Sequence, residues 1–175
     1  FVEHASIVGA ERDSAHARSA SGTGLPILPF PGAATSDSDI FVANVDDLLA
    51  GSEQPRNITA NPDKVDDDPD WSADGQKIAF TSHDVDEPDP FNAVSAEIYV
   101  MNADGSGAPV RLTDNAEEER GPAWSPDGNR IVYACRKSSF FSICAMDADG
   151  SNQVQLTTGA GLTPCLASHF GSLTT

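Results

Sequence analysis

The sequence is short of basic and aromatic residues. Its 175 residues include 10 Lys and Arg against 27 Asp and Glu, for a formal net charge of −17, and 7% of them are aromatic. Nucleic acids and anionic membrane surfaces are bound by clusters of Lys and Arg, so this charge argues against both as partners. No apolar run is long enough to cross a bilayer as a helix, so membrane insertion is not expected.

The motifs of common catalytic and cofactor sites are also missing. The chain has no Gly-x-Ser-x-Gly elbow, and none of its four histidines lies in a motif with a nucleophile. Residues 21–24, Ser-Gly-Thr-Gly, lack the Lys and the following helix of a phosphate loop. No Cys-x-x-Cys pair or His–Cys cluster has the spacing of a zinc site. We predict that the protein is not an enzyme and needs no cofactor.

A tight turn that begins with Trp occurs twice, as Trp-Ser-Ala-Asp-Gly at residues 71–75 and Trp-Ser-Pro-Asp-Gly at residues 124–128. The Asp side chain can bond back to its own backbone and the Gly can take a positive φ, which is the chemistry of a β-turn. A β-type run follows each turn. We predict that both Trp side chains are largely buried and equivalent. The residues with a predicted structural role are Trp71, Asp74, Gly75, Trp124, Asp127 and Gly128.

A second pattern follows each Trp turn at a steady distance. Residues 98–106 read Ile-Tyr-Val-Met-Asn-Ala-Asp-Gly-Ser and residues 143–151 read Ile-Cys-Ala-Met-Asp-Ala-Asp-Gly-Ser, an offset of 45 residues. Each is followed by Leu-Thr, at residues 112–113 and 156–157. Four short strands that repeat every 40–50 residues or so are typical of a β-propeller blade.

Together these residues closely resemble the TolB-like propeller repeat, over about residues 66–157. The resemblance implies an all-β fold, a partial β-propeller of about three four-stranded antiparallel blades. We place two clear blades at residues 66–120 and 121–160 and a partial blade at residues 36–65. Residues 1–35 are a degenerate N-terminal segment, and residues 161–175 are a degenerate blade start with a tail.

The weaker parts of the repeat give more specific expectations. Residues 5–9 could form one strand of the first blade. The Pro-rich residues 25–32 stand in the place of its second strand, and they are either a degraded strand or an extended segment that covers the blade. The Asp-Gly-Ser turn is replaced at residues 45–51, where Asp46 could cap one helical turn.

Acidic runs precede both Trp turns. The densest run is residues 66–70, Asp-Asp-Asp-Pro-Asp, and the three Glu of residues 117–119 occupy the equivalent place one blade later. The candidate ligands are Asp66, Asp67, Asp68, Glu117 and Glu118. If these side chains converge near the propeller axis they could hold Ca²⁺, which prefers six to eight oxygen ligands. The plainer interpretation is a solvated acidic loop. No metal site is predicted, and the five residues are kept only as weak candidates.

The three cysteines are Cys135, Cys144 and Cys165. A hairpin turn centred on residues 139–140 places Cys135 directly opposite Cys144, within reach of a disulfide. Two small buried thiols are the alternative. If the disulfide forms, Cys165 is left free or intermolecular. A separate modification candidate is Asn57, in the Asn-Ile-Thr sequon of residues 57–59.

The resemblance implies an extracytoplasmic propeller, periplasmic or extracellular, that presents loops to protein partners. The predicted function is therefore a non-catalytic module for protein–protein interaction. Two alternatives stay open: a self-assembling structural subunit, as an oligomer or an extracellular filament, and a propeller domain cut from a larger peptidase-like protein. At about 45 residues per blade the chain holds about three blades. We expect a homo-oligomer or part of a larger propeller, with a protein partner or further copies of itself bound.

Overall fold

The structure is a computed structural model that describes residues 4–9, 16–19, 39–52, 54–84, 96–115, 117–137 and 140–157. These residues form three four-stranded antiparallel sheets and one five-residue helix. The predicted fold class, a nearly all-β partial propeller of three blades, is confirmed. Within the described residues, no helix is long and apolar enough to cross a membrane.

Each sheet is one blade. The first contains β1 (His4–Gly9), β2 (His16–Ser19), β3 (Asp39–Asn44) and β4 (Arg56–Asn57). The second contains β5 (Lys64–Trp71), β6 (Lys77–Asp84), β7 (Glu97–Asn102) and β8 (Val110–Arg111). The third contains β9 (Glu119–Trp124), β10 (Arg130–Lys137), β11 (Phe140–Asp147) and β12 (Val154–Gln155). The second and third blades begin slightly before the predicted boundaries at residues 66 and 121.

The Trp turns have the hydrogen bonds that their sequence predicts. In the first turn the Ser72 hydroxyl donates to Asp74 Oδ1 at 2.6 Å and accepts from the Lys77 N–H at 2.9 Å. Gly75 has a φ of 70°, a conformation in which a Cβ would be strained. The second turn repeats these bonds through Ser125, Asp127 and Arg130. The two turns therefore fix the same connection between the first two strands of each blade.

The first blade is built differently from the other two. Its strand order is β2-β1-β3-β4, whereas β5 to β8 and β9 to β12 lie in chain order. The strand next to β3 is thus β1, His4–Gly9, which takes the second-strand place considered for residues 25–32. Three prolines make those residues a poor internal strand, because each Pro lacks an N–H for the ladder. Residues 25–32 themselves lie outside the described residues.

A short helix, α1 (Val45–Leu49), follows β3. The predicted helical turn is present, but its cap is not Asp46. The Asn44 side chain accepts a hydrogen bond from the Asp47 N–H at 3.1 Å, so Asn44 is the N-cap.

The apolar core lies in two seams, one between each pair of neighbouring blades. The first seam buries Ile40, Val42, Trp71, Ile78, Phe80, Met101 and Ala103. The second buries Ala79, Ile98, Val100, Ile131, Tyr133, Cys135, Cys144 and Met146. Residues on successive positions of β6 alternate between the two seams, so both faces of the middle blade are covered.

The Thr of each Leu-Thr motif anchors its blade. The Thr113 hydroxyl accepts from the Ile98 N–H at 2.9 Å, and Thr59 and Thr157 accept in the same way from Ile40 and Ile143. These N–H groups lie in the first half of the third strand, beyond the residues that pair with the short fourth strand. The side chain therefore supplies an acceptor that the backbone ladder does not provide.

The two Trp residues hold the same place in the repeat but differ in burial. Trp71 is 8% exposed and packs with Val42 of the preceding blade, whereas Trp124 is only partly buried against the second seam. The prediction of two largely buried, equivalent indoles is therefore too strong for Trp124. The backbone N–H of Trp124 donates to Asp70 Oδ2 at 2.7 Å, and this hydrogen bond links the third blade to the second.

Candidate functional site

A cleft opens between the first and second blades, at the end of the array where the Trp turn lies. Its volume is about 710 Å³. Trp71, Val42 and Ala103 supply its apolar surface. Its polar lining residues are Asn44, Arg56, Gln76, Lys77, Asn102 and Asp104. A concave apolar surface with convergent polar groups is the usual form of a binding site.

The fold positions the two cations of the cleft from different blades. Arg56 is the first residue of β4, and its Nη1 donates to the Asp104 carbonyl of the second blade at 2.6 Å. Lys77 is the first residue of β6 and pairs across the sheet with Asn102. Both residues are exposed. Gly105 allows the two blades to approach here, because a Cβ at this position would lie 2.6 Å from Arg56 Nη1.

Acidic side chains are buried at both seams. They lie at the start of the innermost strands, β5 and β9, whereas the Trp residues lie at the other end of these strands. Asp66 pairs with Ser82 on the neighbouring strand, and Glu119 pairs with Cys135 in the same place one blade later. The equivalent of Asp66 is thus Glu119, the last residue of the acidic run at residues 117–119. Both innermost strands carry a bulge between this position and the Trp.

Burial changes the acidity of these groups. Asp66 is 2% exposed, and its burial raises its pKa above 3.8, with the nearby Asp39 acting in the same direction. At the second seam, burial raises the pKa of Tyr133 to about 12, and the carboxylates of Glu119 and Glu97 add to the effect. Glu97 accepts from Arg111 Nη2 at 2.5 Å and from the Asn115 N–H at 3.2 Å.

The weak metal candidates are not brought together. Glu118 is buried in an ion pair with Arg120 and a second one with Arg136 at 3.1 Å. Asp67 lies 3.9 Å from His83 Nε2, and Asp68 has a φ of 51° in the strand irregularity. Among the residues with described positions, no group of three His, Cys, Asp or Glu could hold a metal ion. The acidic run of β5 is part of a strand rather than a loop.

The structure joins Cys135 and Cys144 by a disulfide with a Cα–Cα distance of 5.8 Å. The predicted register is wrong, however. Cys135 is opposite Ser142 and Cys144 is opposite Tyr133, so the two cysteines are diagonal neighbours. The two strands are paired two residues away from the predicted register, and the disulfide spans the diagonal. Cys165 lies outside the described residues.

The sequon residues take part in the first blade. Asn57 Nδ2 donates to Asp39 Oδ2 at 2.7 Å, and Asn57 Oδ1 accepts from the Thr59 and Ala60 N–H groups at 3.1 and 2.9 Å. The side-chain amide that a glycan would need is therefore bonded within the protein.

Sequence reasoning missed the two cations of the cleft and the Thr anchors. The Thr anchors could have been found, because the Leu-Thr motif recurs at a fixed place in the repeat. The cleft could not, because Arg56 and Lys77 are 21 residues apart and meet only through blade packing.

Comparison with solved structures gives the same fold. TolB from Agrobacterium tumefaciens aligns with a TM-score of 0.57 and 25% identity, over 73% of this chain and 40% of that one. TolB from Acinetobacter baumannii aligns with a TM-score of 0.58 and 18% identity, over 92% of this chain and 32% of that one. A chain of a nidogen/laminin complex aligns with a TM-score of 0.56 and 16% identity, over 88% of this chain and 61% of that one.

Two curated relatives match shorter stretches. The uncharacterized peptidase YuxL of Bacillus subtilis is 37% identical over 65 residues, which is 37% of this chain and 9% of the relative. Dipeptidyl-peptidase 5 of Porphyromonas endodontalis is 32% identical over 81 residues, which is 46% of this chain and 12% of the relative. The matched stretches thus span only about a tenth of the length of these relatives.

The family model described as the TolB beta propeller domain matches residues 27–168, most of the chain. The match includes both Trp turns and all three Leu-Thr or Ile-Thr anchors. On the evidence of this match and of its three-bladed structure, the chain belongs to the TolB beta propeller domain family.

Proposed function

We propose that this chain is a non-catalytic propeller module that binds another protein outside the cytoplasm. The observation that supports this most directly is that the recurring polar side chains form hydrogen bonds within the blades themselves. The hydroxyls and carboxylates that recur in the repeat act in turns and blade anchors, as in Ser72, Asp74 and Thr113. The surface that is left over is an open cleft and exposed blade edges, which suit binding rather than catalysis.

The relatives agree with this proposal. Two of the similar structures are TolB proteins, and a third belongs to a complex of nidogen with laminin. An extracytoplasmic location is consistent with the disulfide between Cys135 and Cys144, because such bonds persist in oxidising compartments.

The test compares the native and purified forms of the protein. Light scattering after gel filtration should give the native species, prepared under mild conditions from an extracytoplasmic fraction, a larger mass than the purified chain. Mass spectrometry of the isolated complex identifies the added protein. A native species with the mass of the purified chain alone contradicts the proposal, and so does turnover of peptide or ester substrates by the purified chain.

Self-assembly is a second candidate, favoured by one specific observation. Leu112 is partly buried in the second seam, whereas Leu156, its counterpart in the third blade, is 55% exposed. Val154 on the same strand is 48% exposed. The third blade therefore presents an apolar side chain, Leu156, whose counterpart in the second blade is partly buried.

Sedimentation at increasing micromolar concentration tests this candidate. If copies associate through this side chain, Leu156→Asp reduces the oligomer to monomer. Val110→Asp is the matched control, since Val110 is 59% exposed on the edge strand of the second blade rather than the third. A native chain that sediments as a concentration-independent monomer excludes self-assembly.

The third candidate is a propeller that belongs to a larger peptidase-like protein. The matches to the two peptidases support it, but they concern about a tenth of those proteins. The complete gene sequence decides this candidate, because a hydrolase domain joined to the propeller would be encoded in the same reading frame.

A further inference from the structure

The cleft between the first and second blades differs from the rest of the surface in charge. The chain carries 27 acidic residues against 10 basic ones, so a basic side chain is expected to find a carboxylate nearby. Five of the basic side chains in the described part do so, each within 4 Å: Lys64, Arg111, Arg120, Arg130 and Arg136. Arg56 and Lys77 form no salt bridge with any described carboxylate, and both line the cleft.

The repeat explains why Lys77 lacks a partner. Arg130 occupies the place of Lys77 in the third blade, and it pairs across the sheet with Asp147, whose carboxylate is 3.7 Å away. Lys77 pairs across its own sheet with Asn102, a neutral residue. The amide of Asn102 is held by Ser106, so it does not compete for an anion. The second blade thus keeps a cation at this place and has a neutral residue in place of the cross-strand acid, while the Asp74 carboxylate of the Trp turn still attracts Lys77 without forming a salt bridge.

Arg56 is a second departure from the repeat. In the second and third blades the first residue of the outermost strand is apolar, Val110 and Val154. Arg56 replaces this Val at the outer strand of the first blade, where its guanidinium reaches over Gly105 to the Asp104 carbonyl. One donor of the guanidinium is used in that bond, and a guanidinium has five.

The apolar part of the cleft lies beside these cations. Trp71 and Val42 belong to the same apolar cluster of the first seam, and both contribute to the cleft lining. A ligand that fits this arrangement carries carboxylates for Arg56 and Lys77 and an aliphatic side chain for the apolar wall. A volume of about 710 Å³ accommodates a short peptide segment.

We propose that this cleft binds an acidic peptide segment with aliphatic residues, presented by a partner protein. The inference rests on the proposed function and names the chemistry of the partner. Charge complementarity selects the ligand, because a neutral or basic segment would give neither Arg56 nor Lys77 a salt bridge. It also predicts that binding weakens with added salt, since Arg56 and Lys77 are exposed.

The experiment uses the full chain with Trp124→Phe, which leaves Trp71 as its only indole. The probe peptide is Leu-Glu-Leu-Glu-Leu, and the matched neutral peptide is Leu-Gln-Leu-Gln-Leu. Titration of Trp71 fluorescence should saturate with the acidic peptide and require about five- to tenfold more of the neutral one, the effect of losing two exposed ion pairs. Sodium phosphate is titrated as a third probe.

Charge reversal at two equivalent positions supplies the control. Lys77→Glu should weaken binding of the acidic peptide about five- to tenfold, while Arg130→Glu, at the same place in the next blade, should change it less than about twofold. Equal binding of the two peptides, no saturable signal with either, or equal effects of the two variants overturns the proposal. Competition by phosphate as strong as that by the peptide overturns the peptide assignment and indicates a small-anion site.

The same variants separate this inference from the proposed function. A native partner complex that forms equally well with Lys77→Glu contradicts the cleft as the docking site but leaves the binding-module function intact. Saturable, charge-dependent peptide binding without any native partner complex supports the cleft as a peptide site but contradicts the proposed function of binding a native partner.

Discussion

Replacing Thr113 by Val tests whether the Thr of the Leu-Thr motif anchors a blade through a hydrogen bond. Thr113 is fully buried, and its hydroxyl accepts from the Ile98 N–H at 2.9 Å. Val has nearly the same shape but no acceptor, so a buried N–H loses its partner, at a cost of about 1–3 kcal/mol. The added methyl group returns less than about 1 kcal/mol. We expect Thr113→Val to lower the free energy of unfolding by about 1–2 kcal/mol.

Urea unfolding followed by Trp fluorescence measures this loss at a fixed protein concentration. The midpoint should fall while the slope stays the same, and the melting temperature should fall by roughly 2–8 °C. Thr113→Ser keeps the hydroxyl and should lose less. Thr157→Val removes the same bond from a partly buried residue, so water can replace the acceptor and the loss should be smaller. If Thr113→Val is as stable as the native chain, the hydroxyl does not anchor the blade.

Three further predictions concern buried groups. Burial raises the pKa of Asp66 above its ordinary value of 3.8. The folded protein therefore gains stability while Asp66 is protonated, in acid, and loses this gain as the pH rises through the raised pKa. Asp66→Asn should therefore be more stable than the native chain at neutral pH, and urea unfolding should show this gain disappearing below about pH 3. Trp71→Ala should cost about 3–5 kcal/mol and Trp124→Ala less, since only Trp71 is fully enclosed. Peptide mass spectrometry without reductant should detect the Cys135–Cys144 disulfide, whose cysteines are nine residues apart. Reducing this bond should lower the free energy of unfolding by about 2–3 kcal/mol.

Each of these predictions has a contrary outcome that the same measurement reveals. Asp66→Asn that is less stable at neutral pH would show that the ionised carboxylate stabilises the seam. A larger loss for Trp124→Ala than for Trp71→Ala would mean that the third blade, not the first, completes the better-packed seam. Recovery of both cysteines as alkylated thiols from the oxidised protein would exclude the disulfide.

The first blade shows where prediction from sequence fails. The repeat pattern placed residues 25–32 at the second strand, because the strands of the other blades follow chain order. The structure instead uses β1 beside β3, with β2 on the far side. Strand order depends on which hairpin pairs with a distant strand, and a local pattern carries no information about that choice. The Pro residues argued against a central strand at residues 25–32 but did not indicate that β1 lies beside β3.

The predicted register of the hairpin that carries Cys135 and Cys144 was also wrong. Cys135 lies opposite Ser142 rather than Cys144, a shift of two residues. Because the side-chain period of a strand is two, a shift of two residues keeps each residue on its face while changing its neighbour. The cysteines therefore stayed on one face and could still join.

The sequence by itself determined the elements that local chemistry fixes: the Trp-Ser-x-Asp-Gly turns, the β-runs between them, the repeat of about 45 residues and the fold class that follows. Hydrogen bonds of Ser and Asp with their own backbone and the positive φ of Gly need no distant residue. Only the tertiary structure decided the strand order of the first blade, the unequal burial of Trp71 and Trp124, and the cleft that holds Arg56 and Lys77. Each of these depends on how one blade packs against the next, which is a contact between residues far apart in the chain.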